Sequence, residues 1–405
     1  MQGARTSPGW IARLFRGMPR NVVALGVVSL FADAAGDMIA PLLPVFVAGL
    51  AGGGPLALGW IEGIADALSS LLKLLAGAWS DRLRKRKGLV VVGYVLAALA
   101  RPLMALAGAA WHAGAVRALD RTGKGLRTSP RDALLAAAVE PARRGEAFGL
   151  HRAMDHAGAV IGPLVAVLLL SVFAFEVREV FWVATIPGAL SVVVLLVWVR
   201  DEDAIEAPPR SAEPLKPLPS RAMLRFLGPL AVFTLGNASD LFIVLRASES
   251  LGVNGSILAL PLLWLALHVV KLTSSLYAGR LTDRLGARPL ILAGWVVYAA
   301  IYGGLAFAGD AWVVVVLSIL YGTYHGLTEG AEKALVAELS LPEERGAAYG
   351  WYHLVLGVCA LPASVAFGFL WQRFGSASSF LTSAALALVA CALLLAARPN
   401  ARARS

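Results

Sequence analysis

The segment Gly77-Ala-Trp-Ser-Asp-Arg-Leu83 returns in the second half of the chain as Gly279-Arg-Leu-Thr-Asp-Arg-Leu285. A second pair follows each copy at a nearly constant distance: Pro141-Ala-Arg-Arg-Gly-Glu-Ala-Phe-Gly149 and Pro342-Glu-Glu-Arg-Gly-Ala-Ala-Tyr-Gly350. Apolar segments often resemble one another by chance, but polar loops repeated in the same order do not. The sequence therefore predicts two halves built on one plan.

The composition around these loops is that of a membrane protein. The chain has 405 residues, of which 58% are hydrophobic and 15% charged, whereas a soluble protein carries about 25% charged residues. Apolar runs reach or approach the roughly 20 residues that cross a bilayer. We count about twelve spans and expect helices, because backbone polar groups must be satisfied within each span. The clearest runs are 90–110, 157–175, 180–199, 290–308 and 380–397.

The net charge of +10 is distributed as in a membrane protein and not as in a nucleic-acid-binding protein. Lys and Arg precede the first span and fill every second connection, while the alternate connections are nearly free of them. This positive-inside bias predicts a multi-pass protein of the bacterial inner (plasma) membrane with both termini in the cytoplasm. The basic positions are Arg5, Arg13, Arg16, Arg20, 82–87, Arg143, Arg144, 200–225, Arg284, Arg288, Arg398, Arg402 and Arg404.

The longest polar connection, 200–225, contains five prolines and divides the chain into halves of about six spans each. Before the first span, apolar residues between arginines predict a short helix on the inner membrane surface. The predicted organisation is an interfacial segment 1–20, a bundle 21–199, a cytoplasmic linker 200–225, a bundle 226–397 and a tail 398–405.

The repeated loops resemble motif A of the major facilitator superfamily, a family of transporters. The first copy departs from the motif at Arg84, where a glycine is usual, and Gly286 fits it in the second copy. The segment Arg121-Thr-Gly-Lys-Gly125 resembles motif B, and Gly158-Ala-Val-Ile-Gly-Pro163 resembles motif C, which that family associates with antiporters. The resemblance covers about residues 20–397. The longer string from Asp120 to Ala133, DRTGKGLRTSPRDA, is similar to a bacterial branch of the family.

This resemblance implies an all-α membrane protein with twelve transmembrane helices in two pseudo-symmetric six-helix bundles, which rock around a central cavity. The motif A carboxylates, each near the cytoplasmic end of a helix and beside an arginine, are predicted to stabilise the outward-facing state by charge pairing. A basic loop that only fixes the topology is the alternative. The gating candidates are Gly77, Asp81, Arg82, Gly279, Asp283 and Arg284. In helix 5, Gly158, Gly162 and Pro163 would allow close helix approach and a bend, and ordinary helix packing is the alternative reading.

Helix 4 carries an unusual row of cations: Arg117, Arg121, Lys124 and Arg131 fall within an arc of about 80°. Inserting an ionisable side chain at membrane depth costs roughly 2.5–3.5 kcal/mol, so such side chains line water, form ion pairs or have a direct function. Arg binds carboxylates and phosphates with paired donors, so we expect a small anionic solute. The predicted substrate-binding residues are Arg121, Lys124, Arg131 and Arg152.

Arg131 and Arg152 each lie about ten residues from the turn near Pro141, which predicts a similar depth on neighbouring antiparallel helices. Asp155 lies one turn deeper and is predicted to pair with Arg127 or Arg131. Such pairs could form a gate or simply hold the helices together.

Carboxylates within the spans are the predicted proton carriers, since acids in a low dielectric and histidines can both titrate near neutral pH. Asp33 and Asp37 share a face of helix 1, and Asp66 shares one with Glu62 and Lys73 of helix 2. In helix 10, Glu329 shares a face with His325 and Glu332. The predicted proton-coupling residues are Asp33, Asp37, Asp66 and Glu329.

Enzyme chemistry is not predicted. Gly123-Lys-Gly125 lacks the first glycine of a P-loop, and no hydrolase or metalloprotease motif stands in a usable context. His151 and His156 do not share a ligand face, so we expect neither a metal centre nor a cofactor.

The sequence favours a monomeric secondary transporter whose partners are a small-molecule solute, protons and the lipid bilayer. Proton-coupled export by antiport is the first choice. The alternatives are proton-coupled uptake of an organic anion or metal chelate by symport, and a receptor that keeps the transporter fold without net flux.

Overall fold

The computed structural model describes residues 18–83, 86–139, 144–200, 219–340 and 345–397. These residues form twelve long helical segments and no β-strand, which confirms the predicted all-α membrane fold. The segments are α1 (Arg20–Ala48), α2 (Pro55–Leu83), α3 (Arg86–Ala105), α4 (Ala110–Ala137), α5 (Arg144–Ser171), α6 (Val177–Trp198), α7 (Arg221–Gly252), α8 (253–285), α9 (Ala287–Phe307), α10 (Ala311–Glu338), α11 (Arg345–Phe374) and α12 (Ser376–Ala396).

Of the predicted domains, the two bundles fall largely within the described residues. The interfacial segment before residue 18, linker residues 201–218 and the tail 398–405 lie outside the described residues. So does the α4–α5 turn at 140–143. After the linker, α7 begins at Arg221 with Ser220 as its N-cap.

Ten of the described helices contain a stretch long and apolar enough to cross a membrane. The two exceptions are α2 and α4, which carry the densest charge: Glu62, Asp66 and Lys73 on α2, and the cation row on α4. Both helices nevertheless lie among apolar neighbours. Their charged faces must therefore point into the protein rather than into lipid.

The two bundles share one packing scheme. In the first, α1 packs against α5 and α6, and α4 packs between α2 and α3; in the second, α7 packs against α11 and α12, and α10 packs between α8 and α9. The bundles meet along α2 with α11 and along α5 with α8, which are equivalent pairs. This arrangement is the pseudo-two-fold symmetry that the repeated loops predict.

Equivalent helices are also interrupted at equivalent places. Helix α1 tightens to a 3₁₀ turn at Ala40–Leu42, where Pro41 and Pro44 cannot donate backbone hydrogen bonds. Helix α7 loses its helical conformation between Gly236 and Leu241. Both interruptions contribute residues to the space between the bundles.

Cations cap helix ends at matching positions of the two halves. Lys87 at the start of α3 donates to the carbonyl oxygens of Leu196 (3.2 Å) and Val199 (2.6 Å) at the end of α6. Arg288 at the start of α9 donates to those of Leu394 and Ala397 at the end of α12. These bonds satisfy the terminal carbonyls and favour the negative end of each helix dipole.

Candidate functional site

A polar cavity of about 600 Å³ lies between the bundles. Helices α1 to α5 of the first bundle and α7, α8 and α11 of the second line it. Its volume is in the range of small-molecule sites. Seven carboxylates and seven Lys or Arg residues line it: Asp33, Asp37, Glu62, Asp66, Asp120, Asp155, Asp240, Lys73, Arg101, Arg117, Arg121, Lys124, Arg127 and Arg152.

Part of this charge forms a buried network within the first bundle. The guanidinium of Arg117 donates two hydrogen bonds, of 2.7 and 3.1 Å, to the Glu62 carboxylate. Asp120 pairs with Arg101 at 3.0 Å and with Arg117 at 3.6 Å. All four residues are at least nine-tenths buried. Because the charges compensate one another, this network fixes α2, α3 and α4 and leaves little free charge for a ligand.

The predicted substrate-binding residues divide into two groups. Arg121 and Lys124 line the cavity, as does Arg152. Arg121 is only loosely paired, at 4.0 Å from Asp120, and no described carboxylate lies within 4.0 Å of Lys124. The side chain of Arg152 is 64% exposed. These three cations have charge available for a solute.

Arg131 lies elsewhere. Its guanidinium binds the Asp132 carboxylate at 2.9 Å and donates to the Ser29 hydroxyl at 3.3 Å, and it does not belong to the cavity lining. Helix α5 packs mainly on α1 and makes only a small contact with α4, although Arg131 lies within electrostatic range of His151 and Asp155 on α5. Sequence distance from a turn fixes depth in the membrane but not which helices pack together.

Asp155 does not form the predicted ion pair with Arg127 or Arg131. Asp155 contacts Arg152 at 3.8 Å and His151 at 3.5 Å, both on its own helix. Arg127 lies over the ring of Tyr94, with its guanidinium carbon 4.2 Å from the ring centroid. Asp155 and Arg127 both line the cavity without forming an ion pair.

Three of the four predicted proton-coupling carboxylates face the cavity: Asp33, Asp37 and Asp66. No described Lys or Arg lies within 4.0 Å of any of them. Asp37 accepts a hydrogen bond from the Trp264 indole of the opposite bundle at 3.0 Å. Glu329 lies outside the lining and pairs with Lys333 at 3.0 Å and with Arg152 at 3.9 Å.

The second bundle contributes a site that the sequence interpretation left without a role. At the interruption of α7, Asp240 contacts Lys271 at 2.6 Å, Tyr321 at 2.8 Å and His325 at 3.4 Å. The adjacent Asn237 donates to Tyr324 at 2.7 Å. A usable signal was present, because Gly236-Asn-Ala-Ser-Asp240 is a run of turn-forming residues inside an apolar span.

Contacts between the bundles are closest at the end of the molecule that carries the α1–α2 loop. There the Leu56 amide donates to Gln372 at 3.3 Å, and Ser239 donates to Glu62 at 3.2 Å. A Cβ on Gly357 would lie 2.6 Å from that of Ser70, so α2 and α11 stay in contact over about half their length. Toward the opposite end, the Arg152–Glu329 pair joins the bundles through side chains that are 64% and 53% exposed.

The motif A residues are placed only in part. Gly77, Asp81 and Arg82 lie in the last turns of α2, and Gly279, Asp283 and Arg284 in those of α8. The structure describes the side chain of Arg284, which is exposed. The other side chains of this set lie outside the described part of the chain.

The glycines of the motif C-like segment lie where α5 crosses α1. A Cβ on Gly162 would lie 2.5 Å from the Ala34 carbonyl oxygen, and one on Gly158 would meet the backbone of Leu30 and Ala34. Only glycine permits this approach, and Pro163 lies within the continuous helix.

Comparison with known proteins agrees with this architecture. The family model described as Major Facilitator Superfamily matches residues 25–270 and 226–405. An uncharacterised MFS-type transporter of Methanocaldococcus jannaschii is 32% identical over 383 residues, which cover 94% of this chain and 95% of that protein. The multidrug resistance protein MdtG of Dickeya zeae is 23% identical over 385 residues, covering 91% and 92% of the two chains.

Among solved structures, the nucleoside transporter NupG superposes with a TM-score of 0.77 at 12% identity, covering 93% of this chain and 99% of that one. At this identity the similarity shows the fold alone. The family match, the full-length relative and the two-bundle fold around a polar cavity lead to one conclusion: this chain belongs to the Major Facilitator Superfamily and is a multi-pass membrane transporter, not an enzyme.

Proposed function

We propose that this protein is a secondary active transporter that exports a small polar solute bearing an anionic group across the bacterial inner membrane in exchange for protons. The observation that carries the proposal is the charged cavity of about 600 Å³ between two bundles of matching architecture. Such a cavity can present a solute to either side of the membrane in turn when the bundles rock about it.

The charge distribution sets the orientation in this proposal. The basic loops place both termini in the cytoplasm, so the α1–α2 loop end is periplasmic. The close contacts of α2 with α11 and of Ser239 with Glu62 then close the periplasmic side. In this reading the protein is inward-facing, ready to take up solute from the cytoplasm.

The anionic group of the solute is assigned to Arg121, Lys124 and Arg152. Arg121 is only loosely paired, at 4.0 Å from Asp120, Lys124 has no described carboxylate within 4.0 Å, and the side chain of Arg152 is 64% exposed. Arg131 is assigned a supporting role at the cytoplasmic side of α4, where it ties that helix to α1 through Ser29.

The proton path is assigned to Asp33, Asp37 and Asp66, which face the cavity without an ion-pair partner among the described residues. Glu329 is assigned to the same path because its contact with Arg152 joins the two bundles. Proton release and solute binding would then take place in the same cavity. Export is favoured over uptake by the motif C-like segment and by the name of the relative MdtG, a multidrug resistance protein.

Proteoliposomes with an imposed pH gradient and an internal pH dye test the coupling and the direction. We expect solute added on one side to draw protons toward that side, opposite to its own movement, as antiport requires. The variant Lys124→Ala should lose the signal, while Asp132→Asn, outside the cavity on the same helix, should keep it. Proton movement in the same direction as the solute would replace export with uptake, and solute-independent leakage would refute coupling.

A further inference from the structure

Two like-charged pairs line the cavity. Lys124 and Arg127 are three residues apart on α4 and therefore share a face. Asp33 on α1 and Asp155 on α5 form an acidic wall, where these two helices are packed together at Gly158. Charges of the other sign lie near both pairs: Asp66 is within electrostatic range of Lys124, and Arg152 contacts Asp155 at 3.8 Å.

Two of these groups have atoms with no hydrogen-bond partner among the described residues. Nη1 of Arg127 and Oδ1 of Asp155 are both unpartnered, although the residues are only 6% and 9% exposed. The other atoms are occupied: the Arg127 guanidinium lies over Tyr94, and Oδ2 of Asp155 faces His151 and Arg152. A buried polar atom without a partner costs free energy, so a free donor and a free acceptor in one cavity point to a ligand that supplies both.

The opposite charges do not satisfy one another. Asp33 is within electrostatic range of Lys124, Arg127 and Asp155, but no described Lys or Arg comes within 4.0 Å of its carboxylate. The cationic pair on α4 and the acidic wall therefore form no ion pair with each other. A ligand that carries both signs of charge can bind the two together.

We propose that the transported solute is a zwitterion, whose anionic group binds Lys124 and Arg127 and whose ammonium group binds Asp33 and Asp155. This inference rests on the proposed transport function and narrows its substrate class from an anion to a molecule with two poles. It adds Arg127 to the cations assigned to the solute and gives Asp33 a second role beside the proton path. The second bundle faces the middle of the solute with the indole of Trp264 and the side chain of Leu356, which suit a short carbon skeleton.

The experiment measures binding of matched probes to the purified full-length protein by thermal shift and tryptophan fluorescence. The probes are straight-chain ω-amino acids and ω-aminoalkylphosphonates with two to five methylenes, each with the alkanoate, alkylphosphonate and alkylamine of equal length. We expect one length of zwitterion to bind about tenfold more tightly than either single-charge analogue, since each end supplies one charge-assisted contact.

The variants separate binding from a structural role. Asp33→Asn and Asp155→Asn should reduce the affinity for the zwitterion about tenfold and leave that for the anionic analogue unchanged. Lys124→Gln should reduce the affinity for the zwitterion and leave that for the alkylamine unchanged. Asp132→Asn should change none of these affinities. If the four residues served only to pair with each other as the cavity closes, the Asp variants would affect both analogues alike.

Three results would overturn the zwitterion assignment: equal affinity for the anionic analogue and the zwitterion, equal losses for both in Asp33→Asn, or no binding by any zwitterion of the series. Counterflow separates this failure from that of the transport proposal. If an anion without an ammonium group binds and exchanges across proteoliposomes, the transport proposal stands and the zwitterion assignment fails. If a zwitterion binds but is not transported, the binding site stands and the transport proposal fails.

Discussion

At the residue scale, buried charge in this protein is of two kinds. The Glu62–Arg117 and Arg101–Asp120 contacts compensate one another and are at least nine-tenths buried. Asp33, Asp66 and Lys124 face the cavity without an ion-pair partner among the described residues. The first kind holds helices together, and the second is the charge to which we assign protons and solute.

Breaking the Glu62–Arg117 pair from one side should destabilise the protein. The variant Arg117→Ala leaves the Glu62 carboxylate, 2% exposed, with the Ser239 hydroxyl but without its cationic partner, and the expected loss is about 3–5 kcal/mol. Unfolding of the detergent-purified protein measures this loss. The double variant Glu62→Leu with Arg117→Leu should recover much of it, and a single variant as stable as wild type would show that the pair is not structural.

Asp37 should matter for coupling more than for folding. Its carboxylate accepts the Trp264 indole hydrogen bond across the bundles at 3.0 Å, and Asn can preserve that acceptor while it cannot take up a proton. Asp37→Asn should therefore keep its folded yield and flatten the pH dependence of transport, measured as initial flux at several pH values. An unchanged pH profile would remove Asp37 from the proton path.

At the element scale, helix interruptions and close crossings position the site. The unwound segment of α7 brings Asn237, Ser239 and Asp240 to the cavity, because non-helical backbone is tolerated in a membrane where it borders water or protein. The α1–α5 crossing at Gly158 and Gly162 holds Asp33 beside Asp155. A shift of α1 against α5 would alter the acidic wall directly.

The crossing can be tested with matched glycine substitutions. In Gly162→Ala the added Cβ would lie 2.5 Å from the Ala34 carbonyl oxygen, so overpacking should destabilise the protein by about 1–3 kcal/mol and lower transport. Gly303→Ala in α9 is the control, since nothing lies within 4 Å of its added Cβ. It should be neutral or stabilising by up to about 1 kcal/mol. Equal thermal stability of the two variants would contradict the close approach.

At the scale of the whole molecule, the backbone is pseudo-symmetric but the distribution of charged side chains is not. Both bundles repeat the same packing scheme, yet all seven cavity cations belong to the first bundle, and the second contributes one carboxylate, Asp240. The first bundle is thus suited to hold the charged solute. The second bundle supplies a wall whose one carboxylate, Asp240, is paired with Lys271, and it is the mobile partner of the rocking movement that we propose.

Asp81→Asn should shift the balance between inward- and outward-facing states, because this motif A carboxylate is predicted to stabilise the outward-facing state. A single ion pair at a protein surface is worth up to about 1 kcal/mol, and for an effect of that size the ratio of states should change by roughly fivefold or less. Labelling of Ser70→Cys, a cavity position, with a membrane-impermeant reagent in inside-out vesicles should become faster. The background would carry Cys359→Ala and Cys391→Ala, and an unchanged rate would argue against gating by Asp81.

The sequence by itself determined the membrane class, twelve helices, two equivalent halves and the charged helix α4. Hydrophobic length and repeated polar loops are local properties, and the bilayer converts them directly into spans. The tertiary structure alone decided which charges meet: it turned Arg131 toward Ser29, brought Asp155 and Lys124 into one cavity, and joined Asp240 to Lys271 and His325. The physical reason is that helix periodicity gives the direction of a side chain relative to its own axis, whereas its partner depends on the rotation and neighbours of every helix in the bundle.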